Sequence, residues 1–512
     1  MLIQGFLQNC AARLPDKVAL VCGDQRFTYA QLEGMANRLA NALRDLGVGR
    51  GSRVVLYLNN SPELVVAIFA VLKAGGVFVA INRTTKPDKL VSIVNNCQAT
   101  VAVLDARARA QGTADRLLAE ATSVQNIVVC GTRTNAASNG HPRYRDLSTI
   151  LSASSEQAPR EESIDLDLAC LIYTSGTTGE SKGVMSDHSN VVFVTNSIVQ
   201  YLKNVESDVV LNVLPLAFSY GLYQLMAMFA VGGTLVLEES FAFPDLVLER
   251  MAQERVTGFA GVPTIYSMIL SMDLSKVDLS ALRYVTNAAA GLPIEHVKRL
   301  RQVLPRVDLF LMHGLTEVAR TMYLPPGQAS VRPGSSGIPI PGTELWIENE
   351  EGRRLGPGEI GELVVRGRHV MRGYWMAPEL TAQRFRPGAL QGERICYSGD
   401  LFRTDEEGFF YFVSRKDDII KSRGEKVAPR EVENVLYGIQ GVQDAAVIGI
   451  PDPVLGQAIK AFIVAPGAGL TESEVISHCK AHLEDFMVPR QVEFRSELPK
   501  TGSGKIRRMD LK

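Results

Sequence analysis

The chain lacks the features that usually mark polyanion-binding, secreted and membrane-spanning proteins. Its formal net charge is −1 over 512 residues, with no basic arm and no acidic tail, so nucleic acid is not expected as a partner. The N-terminus has no basic region followed by a long apolar stretch, and the longest apolar segment, 64–81, is interrupted by Lys73, Gly75 and Gly76. We therefore expect neither a signal peptide nor an integral membrane segment.

The cysteines also lack any pattern. None of the seven belongs to a CxxC pair, and their spacings are irregular, which favours reduced thiols in a cytoplasmic protein over a disulfide framework or a zinc site. The remaining composition, 46% apolar and 21% charged, is that of an ordinary globular protein. A chain of 512 residues exceeds what one hydrophobic core usually supports, so at least two domains are expected.

Short apolar runs that alternate with helical stretches predict an α/β fold. A helix over 64–72 has Ser61 as its N-cap, Pro62 in its first turn and Gly75 beyond its end, and a buried strand follows over 77–81. Similar apolar runs recur at 54–58, 101–104, 127–130, 209–214, 235–237 and 309–312. This alternation favours a large, multi-layered N-terminal domain with doubly wound, mainly parallel sheets.

The sequence changes character beyond Phe412. Residues 414–430 are dense in charge, and a helix and two strand-like runs follow at 429–436, 445–450 and 458–464. We therefore predict a small α+β C-terminal domain. The predicted limits are an N-terminal domain over 1–414, a connection at 415–417 and a C-terminal domain over 418–512.

The most informative segment is LIYTSGTTGESKGV, residues 171–184. An apolar strand leads into small hydroxyl residues and glycines, and a lysine closes the loop. Glycines let phosphates approach the backbone, hydroxyls and N–H groups donate to their oxygens, and lysine neutralises charge. The spacing differs from that of a Walker loop, and a Ser/Thr-rich surface turn is the ordinary alternative. The predicted triphosphate site comprises Thr174, Ser175, Gly176, Thr177, Thr178, Gly179 and Lys182.

This segment resembles the phosphate-binding signature of the adenylate-forming (acyl-activating) superfamily, which includes acyl-CoA synthetases, peptide-synthesis adenylation domains and beetle luciferases. Four further motifs follow in that family's order. They are MHGLTE (312–317), the run 397–418, KSRGEKVAPREVE (421–433) and LPKTGSGKIRR (498–508). The N-terminal part is also similar, so the resemblance covers essentially the whole chain. One departure is Ser181, where relatives usually have proline, and it should reduce loop rigidity more than activity.

The resemblance implies roles for the MHGLTE motif. His313, where most relatives have tyrosine, and Gly314 would form the adenine face. Thr316 would contact phosphate and carboxylate oxygens, and Glu317 would hold Mg²⁺, a cation that suits carboxylate oxygen. A simpler interpretation is a helix start with Thr316 as its N-cap.

The resemblance also implies roles for residues of the later motifs. Asp400 would accept both ribose hydroxyls, with Arg415 as a second ribose contact. Lys505 would be the catalytic lysine that meets the α-phosphate and the attacking carboxylate, since such transfer depends on positioning and electrostatic stabilisation. Thr316 and Glu317 would complete the catalytic set.

The second half-reaction would use the small domain. Asp417 stands at the family's hinge, about which this domain rotates. The loop around Gly424 would line the tunnel that admits a thiol, and glycine suits the close passage of a pantetheine arm. Lys421 lies where some relatives carry a lysine used in this step.

The segment LPLAFSYGLYQ, 214–224, resembles the motif that lines the acyl pocket. The predicted pocket comprises Phe218, Ser219, Tyr220, Ala289 and Ala290. Amino-acid-activating relatives often have an aspartate where this chain has Ser219, and an ammonium buried without a carboxylate partner is expensive. We therefore expect a fatty, aryl or other amine-free acid. Ala289 stands near a frequent glycine of relatives and favours a shorter or narrower acid.

The implied reaction has two steps. A small-molecule carboxylic acid attacks ATP, with Mg²⁺ present, to give an acyl-AMP and pyrophosphate, and a thiol then displaces AMP. Coenzyme A is the expected thiol. The alternative is a stand-alone adenylation enzyme that loads an acyl or amino acid onto a phosphopantetheinyl carrier protein in trans. A luciferase-like oxygenase acting on the same adenylate is a third possibility, and nothing in the chain requires it.

Overall fold

The computed structural model describes residues 1–131, 142–175, 181–422, 425–452, 456–501 and 505–511. The strands of its larger part are β1 Val18–Cys22, β2 Gln25–Thr28, β3 Arg53–Tyr57, β4 Val77–Ala80, β5 Val101–Asp105, β6 Asn126–Cys130, β7 Tyr144–Asp146, β8 Leu168–Ser175, β9 Ser181–Asp187, β10 Val209–Asn212, β11 Thr234–Leu237, β12 Gly258–Gly261, β13 Tyr284–Asn287, β14 Asp308–His313, β15 Met322–Leu324, β16 Ser335–Pro339, β17 Thr343–Glu348, β18 Gly361–Gly367, β19 Phe385–Pro387, β20 Arg394–Thr404 and β21 Phe410–Arg415.

The helices of the larger part cover the faces of these sheets. They are α1 Gln4–Arg13, α2 Tyr29–Asp45, α3 Pro62–Lys73, α4 Pro87–Cys97, α5 Ala106–Ala110, α6 Thr113–Glu120, α7 Leu147–Ala153, α8 His188–Leu202, α9 Ser219–Val231, α10 Pro244–Gln253, α11 Pro263–Ile269, α12 Ile294–Val303 and α13 Pro378–Arg384. The smaller part contains β22 Ile420–Ser422, β23 Glu425–Val427, α14 Pro429–Leu436, β24 Asp444–Asp452, β25 Gly456–Val464, α15 Glu472–His482 and β26 Gln491–Phe494.

The described strands form three sheets. One has the order β7-β6-β5-β3-β4-β8-β9 and is parallel except for the β8/β9 hairpin. A second has a parallel centre, β14-β13-β12-β10-β11-β1, and continues through β15 and β16 into an antiparallel region of β21, β20, β18 and β17. The third, β23-β22-β25-β24 with β26 beside β25, belongs to the smaller part and encloses its own apolar core.

The predicted α/β fold, with a large N-terminal part and a small α+β C-terminal part, is confirmed. The predicted helix N-cap at Ser61 is also confirmed. The Ser61 side chain accepts a hydrogen bond from the Leu64 N–H at 3.2 Å, and α3 begins at the next residue. The change from the second to the third sheet falls between Arg415 and Ile420. The domain limits 1–414 and 418–512 stay predictions.

The antiparallel region was not predicted, because its strands are half-buried and interrupted by glycines, and they give no continuous apolar run. Within the described residues, no helix is long and apolar enough to cross a membrane.

Candidate active site

The site lies where β14 ends. Parallel strands β12, β13 and β14 bring their carboxyl ends to one edge of the sheet, where ligands bind in open α/β folds. Beyond His313 the chain turns sharply, and a Cβ on Gly314 would lie 2.2 Å from the Ala319 carbonyl oxygen, so this position requires glycine. Residues 314–320 form a turn and no helix begins at Thr316, so the simpler interpretation of Thr316 as a helix N-cap is wrong.

His313 is fixed edge-on by both ring nitrogens. Nδ1 lies 2.8 Å from Thr321 Oγ1, and Nε2 lies 3.2 Å from Asp400 Oδ2. The ring of Phe412 stacks at a centroid distance of 6.3 Å. The residue predicted for the adenine face therefore also contacts the residue predicted to bind the ribose.

Asp400 is a buried carboxylate held ionised by its neighbours. It is 3% exposed on β20 and pairs in register with Arg415 on β21, whose Nε lies 3.4 Å from Oδ1. Burial alone would raise the pKa of Asp400, but the hydrogen bond with His313 and the charges of Arg415 and Lys505 outweigh it and lower that pKa below its ordinary value. Asp400 can therefore offer two charged oxygens to a pair of hydroxyls.

Glu317 has a partner that the sequence did not reveal. Its Oε1 accepts a hydrogen bond of 2.6 Å from the hydroxyl of Tyr374, and both residues are buried. Tyr374 lies beside Glu317 because the segment that contains it pairs with β9. Tyr374 forms a β-bridge with Val184, and the Trp375 backbone N–H donates to the Gly183 carbonyl of β9 at 2.7 Å. This pairing joins positions almost two hundred residues apart, so no local sequence pattern predicts it.

Cations surround this Glu317–Tyr374 pair. The Lys182 Nζ lies 5.8 Å from the centre of the Tyr374 ring. The charge of Arg384 acts on both Glu317 and Tyr374. A polyphosphate entering here would meet lysine and arginine side chains around one carboxylate, and Mg²⁺ needs only one or two protein carboxylates when substrate phosphates complete its coordination. Among the described residues there is no group of three or more His, Cys, Asp or Glu side chains that could hold a metal alone.

Lys505 reaches this site from the smaller part. Thr501 N–H donates to the Lys505 carbonyl at 2.7 Å, and Lys500 forms a β-bridge with Ile506, so Lys505 belongs to a segment that pairs with residues 500 and 501. Burial and the charge of Arg415 lower the pKa of Lys505, while Asp400 and Glu317 oppose them. The structure therefore brings Lys505, Glu317 and Asp400 into one electrostatic neighbourhood.

The phosphate segment is described only in part. Thr174 on β8 and Lys182 on β9 are opposite each other in the hairpin. Gly176, Thr177, Thr178 and Gly179 lie outside the described residues, as does the side chain of Ser175.

The residues predicted for the hinge and for thiol transfer lie on the connection between the two parts and at the start of the smaller part. Lys421 is exposed on β22, and Asp417 is exposed in a short 3₁₀ turn, Lys416–Asp418. The neighbouring Asp418 pairs with Arg508 at 2.9 Å, which ties this connection to the C-terminal segment. Gly424 lies outside the described residues.

The residues predicted for the acyl pocket converge beside β12 and β13. Tyr220 is buried, and its hydroxyl donates to the Thr286 carbonyl at 2.8 Å and lies 3.3 Å from the Gly261 carbonyl. Half-buried Phe218 and Ser219 immediately precede it. Ala289 and Ala290, also half-buried, follow β13.

Ala289 adopts an unusual backbone conformation. Its φ is +72°, a region that favours glycine, which gives a physical reason for glycine near this position in relatives. The alanine keeps its methyl group at the end of β13 despite this strain.

The fold and the side chains gathered beyond β14 together indicate the class of enzyme. The fold is that of the adenylate-forming enzymes, with a large α/β part and a small part that contributes a lysine. The chain matches the model of the AMP-binding enzyme family over residues 7–375 and that of the AMP-binding enzyme C-terminal domain over 431–505. The chain therefore belongs to the AMP-binding enzyme family, which confirms the resemblance seen in the motifs.

Similar proteins cover nearly the whole chain. It is 33% identical over 534 aligned positions to a long-chain-fatty-acid–CoA ligase of Bacillus subtilis (strain 168), covering 99% of this chain and 94% of that protein. It is 34% identical over 502 positions to a feruloyl-CoA synthase of Amycolatopsis sp, covering 96% and 94%. The crystal structure of an anthranilate CoA ligase in complex with anthranoyl-AMP superposes with a TM-score of 0.91 at 29% identity, covering 100% and 96%.

Proposed function

We propose that this protein activates an amine-free carboxylic acid with ATP as an acyl-AMP and transfers the acyl group to coenzyme A. Its class, an AMP-forming acid–thiol ligase, is confirmed by the family and by relatives named as CoA ligases. ATP and a CoA-type thiol are the substrates that accompany this class. The observation that carries the proposal is the group of contacts beyond β14, in which Asp400 lies 3.2 Å from His313 and 3.4 Å from Arg415. Glu317 accepts the 2.6 Å hydrogen bond of Tyr374 in the same group, and the charges of Asp400 and Glu317 act on Lys505.

In the first step these side chains hold the nucleotide and stabilise developing charge. Asp400 accepts hydrogen bonds from the ribose hydroxyls, and Arg415 supports it from β21. Lys505 places its ammonium against the α-phosphate and the attacking carboxylate, where a fixed positive charge stabilises the transition state. The acid oxygen forms the new bond to the α-phosphorus, and pyrophosphate leaves with the electron pair.

A magnesium ion held by Glu317 would neutralise phosphate charge during this step. The fit rests on the site itself, since Glu317 is one carboxylate among cations and Tyr374 orients it through the 2.6 Å hydrogen bond. Thr316, in the turn before Glu317, would contact the phosphate and carboxylate oxygens. The hydroxyls and backbone of the phosphate loop would hold the β- and γ-phosphates.

The second step requires a different arrangement of the small domain. Lys421 is exposed on β22, and in our proposal the domain rotates about Asp417 before the Gly424 loop and Lys421 approach the acyl-AMP. The thiolate sulfur then attacks the acyl carbon, and AMP leaves with the electrons of the acyl–oxygen bond. No nucleophile on the protein is required, so none of the cysteines need be catalytic. The buried thiols suit this, because burial raises the pKa of Cys170 to about 12 and that of Cys479 to about 11.

The acid is proposed to lack an amine because the pocket motif offers no carboxylate. Ser219 is half-buried at the start of α9, where amino-acid-activating relatives often carry aspartate. An ammonium placed there would lose its hydration without gaining a charged partner. Fatty and aryl acids require no such partner, and relatives acting on both kinds are similar to this chain.

The decisive experiment is acid-dependent ATP–pyrophosphate exchange over a panel of fatty, aryl and amino acids, followed by thioester formation with coenzyme A. We expect exchange with amine-free acids and acyl-CoA as the product. Exchange with amino acids alone would contradict the acid class. Exchange without transfer to coenzyme A, but with transfer to a purified carrier protein, would instead support carrier loading.

A further inference from the structure

Arg320 is a buried cation without a counter-charge among the described residues. It lies at the end of the turn that follows β14, and only 3% of its surface is exposed. Its Nε has no hydrogen-bond partner in the described part of the chain, and no described carboxylate lies within 4.0 Å of the guanidinium. By contrast, buried Lys73 pairs with Glu33 at 2.6 Å. The Tyr220 ring and a hydrogen bond with Tyr201 offset part of the cost of burying this charge, but neither supplies a negative charge, so an anionic occupant would stabilise it.

The guanidinium lies beside the residues predicted for the acyl pocket. Its central carbon is 5.2 Å from the centre of the Tyr220 ring. Its charge also acts on the phenols of Tyr201 and Tyr223. Burial raises the pKa of Tyr201 to about 12 although Arg320 opposes that shift, so this phenol stays neutral and does not balance the charge.

Arg320 is separate from the cation that serves the reacting carboxylate. The charges that act on Lys505 are those of Arg415, Asp400 and Glu317. Arg320 is not among them and instead faces the tyrosines around Tyr220. Because Lys505 is proposed to meet the activated carboxylate, an anion bound by Arg320 beside Tyr220 would be a second group of the acid.

We propose that Arg320 binds a second anionic group of the acid, so that the preferred substrate is a dicarboxylic acid whose distal carboxylate pairs with the guanidinium. This inference rests on the proposed function and narrows its substrate class. A planar guanidinium matches a carboxylate in a two-point contact and supplies the charge that the protein itself does not provide. The same positive charge would repel an ammonium. This agrees with Ser219, which offers no carboxylate to an amino group of the acid.

The test measures ATP–pyrophosphate exchange with pairs of monocarboxylic and α,ω-dicarboxylic acids of matched chain length, for the native enzyme, Arg320→Met and Arg320→Lys. We expect the native enzyme to prefer the diacid in kcat/KM by at least about tenfold, because a buried charge pair discriminates strongly. Arg320→Met should reverse this preference, and Arg320→Lys should retain part of it.

A matched control is Arg332→Met. Arg332 also lies over an aromatic ring, 4.1 Å from the centre of Phe409, but it is paired with Asp405 at 2.6 Å. This variant should keep the native diacid preference.

The outcomes separate the inference from the function on which it rests. A native enzyme that exchanges with monoacids and shows no diacid preference overturns the role of Arg320 and leaves the proposed function intact. An unchanged diacid preference in Arg320→Met, with nucleotide binding preserved, also overturns the role of Arg320. If Arg320→Met does not bind nucleotide, the role is judged from the other two enzymes: a diacid preference in the native enzyme that is reduced in Arg320→Lys supports it, and no preference in the native enzyme overturns it. Absence of exchange with every acid contradicts the proposed function itself.

Discussion

The residues proposed for adenylation and those proposed for thiol transfer differ in their burial and in their contacts. Asp400 and Glu317 are buried and hydrogen-bonded in the large part, and Lys505 joins them from the small part. Lys421 and Asp417, in contrast, are exposed. We infer that the small domain acts twice at one site and that this structure corresponds to the arrangement proposed for the first reaction, in which Lys505 lies near Asp400 and Glu317.

The largest effect is expected from Lys505→Ala. Loss of its ammonium should lower acid-dependent ATP–pyrophosphate exchange by roughly 10²–10³, because a preorganised charge at the transition state is removed. The matched control is Lys500→Ala, a lysine of the same C-terminal segment that pairs with Asp444 at 2.7 Å inside the small part. Comparable loss in both variants would refute a specific role for Lys505.

A smaller effect is expected from Asp400→Asn. The amide keeps the shape but loses the charge and one acceptor, so the KM for ATP should rise about tenfold or more while the maximal rate changes less. Asp405→Asn, at a carboxylate paired with Arg332, serves as the control. An unchanged KM for ATP in Asp400→Asn would argue against ribose binding.

Tyr374→Phe tests the partner of Glu317. Removal of the hydroxyl frees Glu317 Oε1, and the Mg²⁺ concentration for half-maximal exchange should rise several-fold to about tenfold, as is typical when a residue that orients a metal ligand is lost. Tyr397→Phe, which removes a hydrogen bond of 2.8 Å to Glu348, should leave this concentration unchanged. Equal Mg²⁺ dependence in both variants would remove the proposed link.

The smallest effect is expected at His313. His313→Phe keeps a planar ring but loses the contacts with Thr321 and Asp400, so the KM for ATP should rise only a few-fold, consistent with about 1 kcal/mol for one hydrogen bond. His313→Tyr, which introduces the usual residue of relatives, should be closer to the native enzyme. A large loss of maximal rate would show that the histidine does more than position Asp400.

The sequence predicted the parts of the fold that local chemistry determines. The N-cap at Ser61 and the continuous apolar runs specify α3 and the parallel strands, and ordered motifs located His313, Asp400 and Lys505. Tyr374 and Arg320 escaped prediction because their roles depend on contacts with β9 and α9 that are distant in the chain. The antiparallel strands escaped because half-buried strands with glycines carry a weak pattern. The turn at 314–320 corrected the alternative of a helix at Thr316.

The most direct test of the account is to measure the two half-reactions separately in Lys505→Ala and Lys421→Ala. Acyl-AMP formation is followed by pyrophosphate release, and thioester formation is followed from supplied acyl-AMP and coenzyme A. The account predicts that Lys505→Ala loses the first reaction and largely retains the second, whereas Lys421→Ala retains the first. Equal loss of both half-reactions in Lys505→Ala would contradict the assignment of this structure to adenylation.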